Sequence, residues 1–198
     1  MRVKTLLVVA ALFVFTSLGA TAAFASPNLV NNGSFETGDF TGWNVSSGSL
    51  EEVVTGPFSV YSGAEDGVWY SVWGNVGSDG SISQTISDVA GQHYTFSFWF
   101  ASVGDDPSDF SASWNSDVLF SQTDPNTGVN WTEFTFAVVG TGSDTITFSG
   151  RDDPAWMALD NISVTASGGG TTPEPSSLLL LGSGVLAMGG VIRRKLRG

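Results

Sequence analysis

The sequence has no cysteine, so disulfide bonds cannot stabilise the folded chain. Its 198 residues include one histidine, His93, and no H-E-x-x-H motif. Zinc chemistry and thiol chemistry therefore lack the ligands and nucleophiles on which they depend. Stability must come from a packed core or from a bound metal ion.

Basic residues are scarce between Ser26 and Pro175. Arg151 is the only Lys or Arg in that segment, which contains all 19 Asp and Glu residues of the chain, so its formal charge is 1 minus 19, or −18. An acidic surface of this kind repels phosphate backbones and excludes nucleic acid as a partner. It favours divalent cations and neutral ligands.

The first residues have the pattern of a secretory signal peptide. Arg2 and Lys4 precede an apolar run from Leu6 to Leu18, and an Ala-Phe-Ala cleavage site ends at Ala25. We predict a signal helix in residues 1–25 and a mature chain that starts at Ser26. The alternative, a retained amino-terminal anchor, would need a longer apolar run.

A second apolar run extends from Leu178 to Ile192. The residues that mark a turn before it are Pro173, Glu174 and Pro175. The basic residues after it are Arg193, Arg194, Lys195 and Arg197. With two preceding serines the run has about 17 residues, near the lower limit for a membrane span. We predict a transmembrane helix with a basic, cytoplasmic tail over residues 176–198.

The order of proline turn, apolar helix and basic tail resembles the PEP-CTERM sorting signal, also called the ice-binding protein C-terminal motif. The resemblance covers Thr172 to Gly198. It implies a Gram-negative host in which an exosortase, a membrane transpeptidase, processes the chain near Pro173 to Pro175. Many such hosts make exopolysaccharide. An ordinary membrane anchor is the alternative interpretation.

The central segment has short alternating runs separated by Gly, Asn, Asp and Ser. From Tyr94 to Phe100 every second residue is aromatic, which places these rings on one face of a strand and Trp99 on the other. We predict an all-β fold, an antiparallel β-sandwich of jelly-roll type, over residues 26–166. Residues 167–175 form a flexible linker that includes the proline motif.

The two ends of this segment carry a second resemblance. "NNGSFE" ends at Glu36, "GDFTGW" ends at Trp43, and "ALDNISV" includes Asp160. These motifs resemble the galactose-binding-like jelly rolls of many carbohydrate-binding modules. The resemblance implies a structural calcium site with Glu36 and Asp160 as ligands and with Gly33 or Ser34 as carbonyl donors. The alternative is that the two acids cap turns or face water.

Seven tryptophans provide flat faces that can stack on sugar rings. Trp99 is the strongest candidate, because it projects away from the aromatic core face. The other predicted ligand contacts are Trp69, Trp73, Trp114 and Trp156. The alternative for each is packing in the core or against a sheet, which we expect for Trp43.

A two-carboxylate glycosidase is the enzymatic alternative. Its candidate acids are the adjacent pairs Glu51–Glu52, Asp105–Asp106 and Asp152–Asp153. Neighbours on a strand point to opposite faces, and the other two pairs read as solvated loops. We therefore predict that the protein is not an enzyme.

Taken together, the sequence predicts an exported protein of the cell envelope, cell surface or extracellular matrix. Its expected partners are an exosortase-type enzyme, exopolysaccharide or another glycan, and the membrane before processing. The alternative is a structural matrix component or adhesin without a specific sugar site.

Overall fold

The computed structural model describes residues 26–46, 50–153 and 155–167. These residues form strands, turns and loops, with no helix among them. The strands are β1 (Asn44–Val45), β2 (Glu51–Thr55), β3 (Trp69–Trp73), β4 (Gly80–Ile86), β5 (His93–Val103), β6 (Ser108–Trp114), β7 (Asp117–Thr123), β8 (Asn126–Val139), β9 (Asp144–Asp152) and β10 (Met157–Ala166).

The strands form two five-stranded antiparallel sheets. The first sheet has the order β1-β4-β9-β6-β7, and the second sheet has the order β2-β3-β10-β5-β8. The chain crosses between the sheets from β3 to β4 and back again from β4 to β5. This arrangement confirms the predicted jelly-roll sandwich.

The core lies between the sheets and is rich in aromatic rings. Phe96, Phe98 and Phe100 of β5 are fully buried, as their alternation predicts. Phe100 stacks on Phe110 of the first sheet at a centroid distance of 4.2 Å. Phe98 meets Phe148 edge-on at 5.1 Å. These ring pairs join the two sheets and contribute about 1 kcal/mol each beyond the area they bury.

The segment before β1 packs along β10. The Asn28 side chain donates to Ile162 O at 3.0 Å and accepts a hydrogen bond from Val164 N at 2.9 Å. Ile162 N donates to Gly33 O at 3.0 Å. The opening motif and the closing strand are therefore neighbours. Trp43 is buried and donates to Asn32 O at 3.1 Å, which confirms its structural role.

A second, smaller core lies on the outer face of the second sheet. The loop of residues 56–68, here the cover loop, connects β2 to β3 and places Tyr61 against Tyr70, Val72, Ala101 and Ala158. The Tyr61 hydroxyl donates to Trp156 O at 2.5 Å and lies 3.3 Å from Ala101 O. One part of this outer face is thus covered by the chain itself.

The predicted signal helix, its cleavage site at Ala25 and the segment from residue 168 onward lie outside the described residues. That segment includes the predicted transmembrane helix and the residues of the sorting motif. Within the described ranges, the structure has no helix with the length and apolar character needed to cross a membrane.

Candidate functional site

Glu36 holds one end of the cover loop. Its Oε1 atom accepts hydrogen bonds from Val68 N and Trp69 N, both at 2.8 Å. The carboxylate lies directly against Gly67, where a Cβ atom would approach Glu36 Cδ to 2.4 Å. Gly67 also has a φ of +71°, which favours glycine. Glycine at position 67 therefore allows the backbone of the loop to approach the Glu36 carboxylate closely.

Asp160 holds the other part of the same loop. Its Oδ2 atom accepts hydrogen bonds from Glu65 N at 2.8 Å and Asp66 N at 3.0 Å. Its Oδ1 atom accepts one from Asn161 N at 2.7 Å. The side chain is fully buried, and this burial raises the pKa of Asp160 to about 7 despite the three N–H donors.

The structure brings Glu36 and Asp160 to one loop, as the calcium prediction requires. Both hydrogen bonds to Glu36 go to Oε1, and neither uses Oε2. Ser34 Oγ donates to Asp66 Oδ2 at 3.0 Å, and Gly33 O already accepts from Ile162 N. The candidate metal ligands are all hard oxygen atoms, which calcium prefers. A bound cation would also offset the free-energy cost of burying the Asp160 carboxylate.

Carboxylates alone do not complete such a site. Over residues 26–46, 50–153 and 155–167, no three His, Cys, Asp or Glu side chains converge as metal ligands. A calcium ion would therefore take much of its coordination from carbonyl groups and water. The residues fit the ion, and calcium binding stays a prediction.

Trp99 lies on the part of the outer face that the cover loop leaves open. Its ring is partly exposed, and its cross-strand neighbours are Asp160 on β10 and Glu133 on β8. Two residues before Trp99 on β5, Ser97 lies opposite Ser163 of β10, and their Oγ atoms are 3.0 Å apart. The arrangement is an aromatic face surrounded by groups that can hydrogen-bond a neutral polar ligand.

Two of the other predicted tryptophans are inside the core. Trp73 is 0% exposed and packs against Phe110, and Trp114 is 5% exposed and packs against Phe96. Both belong to strand faces that point toward the opposite sheet. A surface ligand cannot reach them, so we correct their assignment to core residues.

Trp69 and Trp156 are partly buried. Trp69 packs against the core between the sheets, and Trp156 packs in the second, smaller core with the cover loop. A Cβ atom at Gly38 would lie 3.4 Å from the Trp69 ring, which shows how closely the ring covers that backbone. Trp156 meets Phe58 edge-on at a centroid distance of 5.0 Å. Trp99 is partly buried as they are, but its ring belongs to neither hydrophobic core of the described residues.

Two residues of this face do not stand out in the sequence. Trp131 donates from Nε1 to Gly63 O at 3.2 Å and packs edge-on against Tyr70 at 5.8 Å, so it anchors the cover loop. Glu133 becomes a neighbour of Trp99 only through the register of β5 and β8. Strand alternation could place both side chains outward, but it could not supply that register.

The acidic pairs differ from one another. Glu51 is buried and Glu52 is exposed, so they diverge as predicted. Asp152, which was predicted to lie in a solvated loop, is fully buried at the end of β9, because that strand continues further than its turn-like sequence suggests. His93 is exposed at the start of β5.

Comparison with protein families identifies residues 171–195 as a PEP-CTERM protein-sorting motif. This motif indicates an exported protein associated with the cell surface. No curated protein matches the chain.

The fold of the chain is similar to several solved structures. TmCBM61, solved in complex with beta-1,4-galactotriose, is 22% identical, with a TM-score of 0.60 over 72% of this chain and 100% of that one. The CBM22-1 xylan-binding domain of Paenibacillus barcinonensis Xyn10C is 18% identical, with a TM-score of 0.52 over 73% and 97%.

A cyclase from Fischerella sp. TAU, in complex with 4-(1H-indol-3-yl)butan-2-one, is 18% identical, with a TM-score of 0.53 over 75% of this chain and 100% of that one. Identities this low show a shared fold and leave function to the site. The chain thus carries a PEP-CTERM sorting motif at residues 171–195, preceded by a domain with the jelly-roll fold of carbohydrate-binding modules.

Proposed function

We propose that this protein is an exported, exosortase-sorted carbohydrate-binding protein of the cell surface or matrix, and that it acts without catalysis. The observation that carries the proposal is the partly exposed ring of Trp99 on the open part of the second sheet. A sugar ring stacked there would have hydroxyl and carboxylate groups within reach on the neighbouring strands.

The charge of the domain narrows the ligand class. Glu133 is exposed beside Trp99, and Arg151 is the only Lys or Arg between residues 26 and 175. Uronic acids and other anionic sugars would meet repulsion with no basic partner to offset it. The proposed ligand is therefore a neutral glycan, such as a neutral exopolysaccharide.

The geometry around Trp99 supports binding over hydrolysis. Asp160 and Glu133 flank Trp99 on adjacent strands, and two strand spacings separate them by roughly 10 Å. Asp160 is fully buried, and its oxygens accept three backbone N–H groups. It cannot reach a sugar on the surface, so Asp160 and Glu133 do not form the accessible carboxylate pair of a two-acid mechanism.

Calcium has a structural role in this proposal. Glu36 and Asp160 would hold the ion where the opening motif, the cover loop and β10 meet. The ion would tie together segments that are far apart in the sequence, the task that disulfides perform in many exported proteins.

Affinity electrophoresis of the purified protein through gels with galactan, xylan or host exopolysaccharide tests the binding function. We expect retardation in at least one gel, and we expect Trp99→Ala to weaken binding at least about tenfold. The matched control is Val118→Ala, at an exposed position of the first sheet. Equal retardation of the Trp99 variant, or none for the natural protein, would favour a structural matrix role.

A further inference from the structure

One end of the space between the sheets contains several buried polar atoms that have no hydrogen-bond partner. The side-chain atoms Glu51 Oε2, Trp73 Nε1, Ser108 Oγ and both carboxylate oxygens of Asp152 are buried there without a partner. Glu51 pairs with Trp73 across β2 and β3, and Ser108 pairs with Asp152 across β6 and β9. Buried polar groups almost always have partners, so this concentration needs an explanation.

Asp152 is the centre of this polar end. It continues the inward-facing row of β9 that contains Phe148 and Gly150, and its side chain is 0% exposed. Its backbone N donates to Asn75 O at 3.1 Å, which fixes the strand end. Complete burial leaves no access for a sugar or another organic ligand. Only an ion or water has the size to meet these oxygens.

Among the residues that the structure describes, Arg151 is the only Lys or Arg that could neutralise Asp152. The side chain of Arg151 points to the other face of β9. The Arg151 guanidinium group lies 3.1 Å from Asp109, 3.7 Å from Asp153 and 3.9 Å from Asp79. Arg151 is therefore already surrounded by three acids.

Further negative charge lies close to Asp152. Asp153 N donates to Pro107 O at 3.1 Å, so the loop that carries Asp105 runs beside the end of β9. Burial, followed by the charges of Asp105 and Asp153, raises the pKa of Asp152 to about 7. Because both oxygens of Asp152 are fully buried without a hydrogen-bond partner, either a proton or an external cation must balance this carboxylate.

We propose that Asp152 binds a divalent cation, with calcium as the ion that fits, at the end of the sandwich where β6 begins and β9 ends. Asp152 supplies the carboxylate, Ser108 Oγ and Asp105 add hard oxygens, and carbonyl groups and water complete the coordination. The site is separate from the Glu36–Asp160 pair and does not depend on sugar binding. The ion would fasten the β5–β6 loop to the end of β9.

Calcium titration by calorimetry, with native mass spectrometry to count bound ions, tests this site in the purified protein. We expect Asp152→Asn to bind one calcium ion fewer than the natural protein. The matched control is Asp117→Asn, an exposed acid of β7, which should keep the full count. Glu36→Gln should leave the ion at Asp152 in place, so the two proposed sites can be separated.

If a proton balances Asp152 instead, Asp152→Asn will keep the natural ion count and a melting temperature at least as high, and this result overturns the proposal. If circular dichroism shows that Asp152→Asn does not fold, Asp105→Asn decides. Its calcium affinity at one site should fall at least about tenfold, because the charge of the ligand set is reduced. Unchanged affinity in that variant would equally overturn the proposal.

Discussion

At the scale of the residue, a few small or acidic side chains decide how the loops meet the strands. Gly33, Glu36 and Asp160 act through direct contact with backbone atoms, and Gly67 leaves room for the Glu36 carboxylate. The motifs that contain Gly33, Glu36 and Asp160 could be recognised from the sequence, because they resemble the terminal motifs of galactose-binding-like jelly rolls. The backbone atoms that they contact could not be identified, since those lie in distant segments.

Gly33 gives a stability prediction. A Cβ atom at this position would lie 2.1 Å from Ile162 O, so Gly33→Ala must displace β10 from the opening motif. We expect a loss of roughly 2–3 kcal/mol in the free energy of unfolding, measured by chemical denaturation. The control is Gly56→Ala, where only a φ of +67° opposes the side chain and nothing lies within 4 Å. It should lose about 1 kcal/mol. Equal losses would contradict the steric explanation.

The carboxyl pair of Asp88 and Asp144 gives a pH prediction. Burial raises the pKa of Asp88, and the neighbouring Asp144 carboxyl group adds to the effect. Burial would also raise the pKa of Asp144, but hydrogen bonds from Asp88, Asn115 and Thr141 outweigh it and lower the pKa to about 2. Asp88 therefore stabilises the fold while protonated and loses that contribution as pH rises. Asp144 stabilises it while ionised and loses that contribution between about pH 4 and pH 2.

Asp88→Asn separates these two effects. An amide cannot ionise and can donate permanently to Asp144, so we expect the variant to be at least as stable as the natural protein at pH 7. The loss of stability below pH 4 should persist, because it belongs to Asp144. Melting temperatures of both proteins from pH 2 to pH 8 check this. A lower melting temperature of the variant at pH 7 would contradict the interpretation that Asp88 stabilises the fold while protonated and Asp144 while ionised.

At the scale of the element, the alternation of apolar and polar residues predicts the strands well, but it does not predict which other segments pack on them. The aromatic alternation of β5 gave its buried face, because neighbouring residues of a strand point to opposite sides. The cover loop was not predicted. Tyr61 bonds to Ala101 and Trp156, which lie 40 and 95 residues away in the sequence. No local pattern shows which half of a sheet another segment will cover, so Trp99 and Trp156, which packs in the second core, looked alike.

The cover loop gives the calcium prediction. If an ion joins Glu36 and Asp160 beneath this loop, EDTA should lower the melting temperature by a few degrees, since saturation near 100 times Kd contributes about 2.7 kcal/mol. Glu36→Gln should have a lower melting temperature and should lose the part of the EDTA response that belongs to the Glu36–Asp160 ion, while the part that belongs to the ion at Asp152 remains. Glu52→Gln, an exposed acid of β2, is the control and should respond like the natural protein. Identical melting curves with and without EDTA would exclude the structural ion.

At the scale of the whole molecule, the segments at either end and the domain between them have different tasks. The sorting motif at residues 171–195 indicates export, and the acidic domain is the part that we propose to bind glycan. Sequence patterns were sufficient for the sorting motif, because a sorting signal is read as a linear segment. They were insufficient for the binding face, which depends on the packing of strands from both halves of the chain.

Processing gives a prediction that is independent of the fold. Mass spectrometry of the protein from the native cell envelope should show a chain that starts at Ser26 and ends near Pro173 to Pro175. A chain that retains residues 176–198 would contradict exosortase processing and favour an ordinary anchor.

The most direct test of the binding proposal is an NMR titration of the purified protein with beta-1,4-galactotriose, xylohexaose and fragments of host exopolysaccharide, observed at the tryptophan indole N–H groups. The account predicts that at least one ligand shifts the Trp99 signal strongly and leaves the buried Trp73 and Trp114 nearly unchanged. A ligand that binds and shifts other indoles while Trp99 stays still, or the absence of any shift with all three probes, would contradict it.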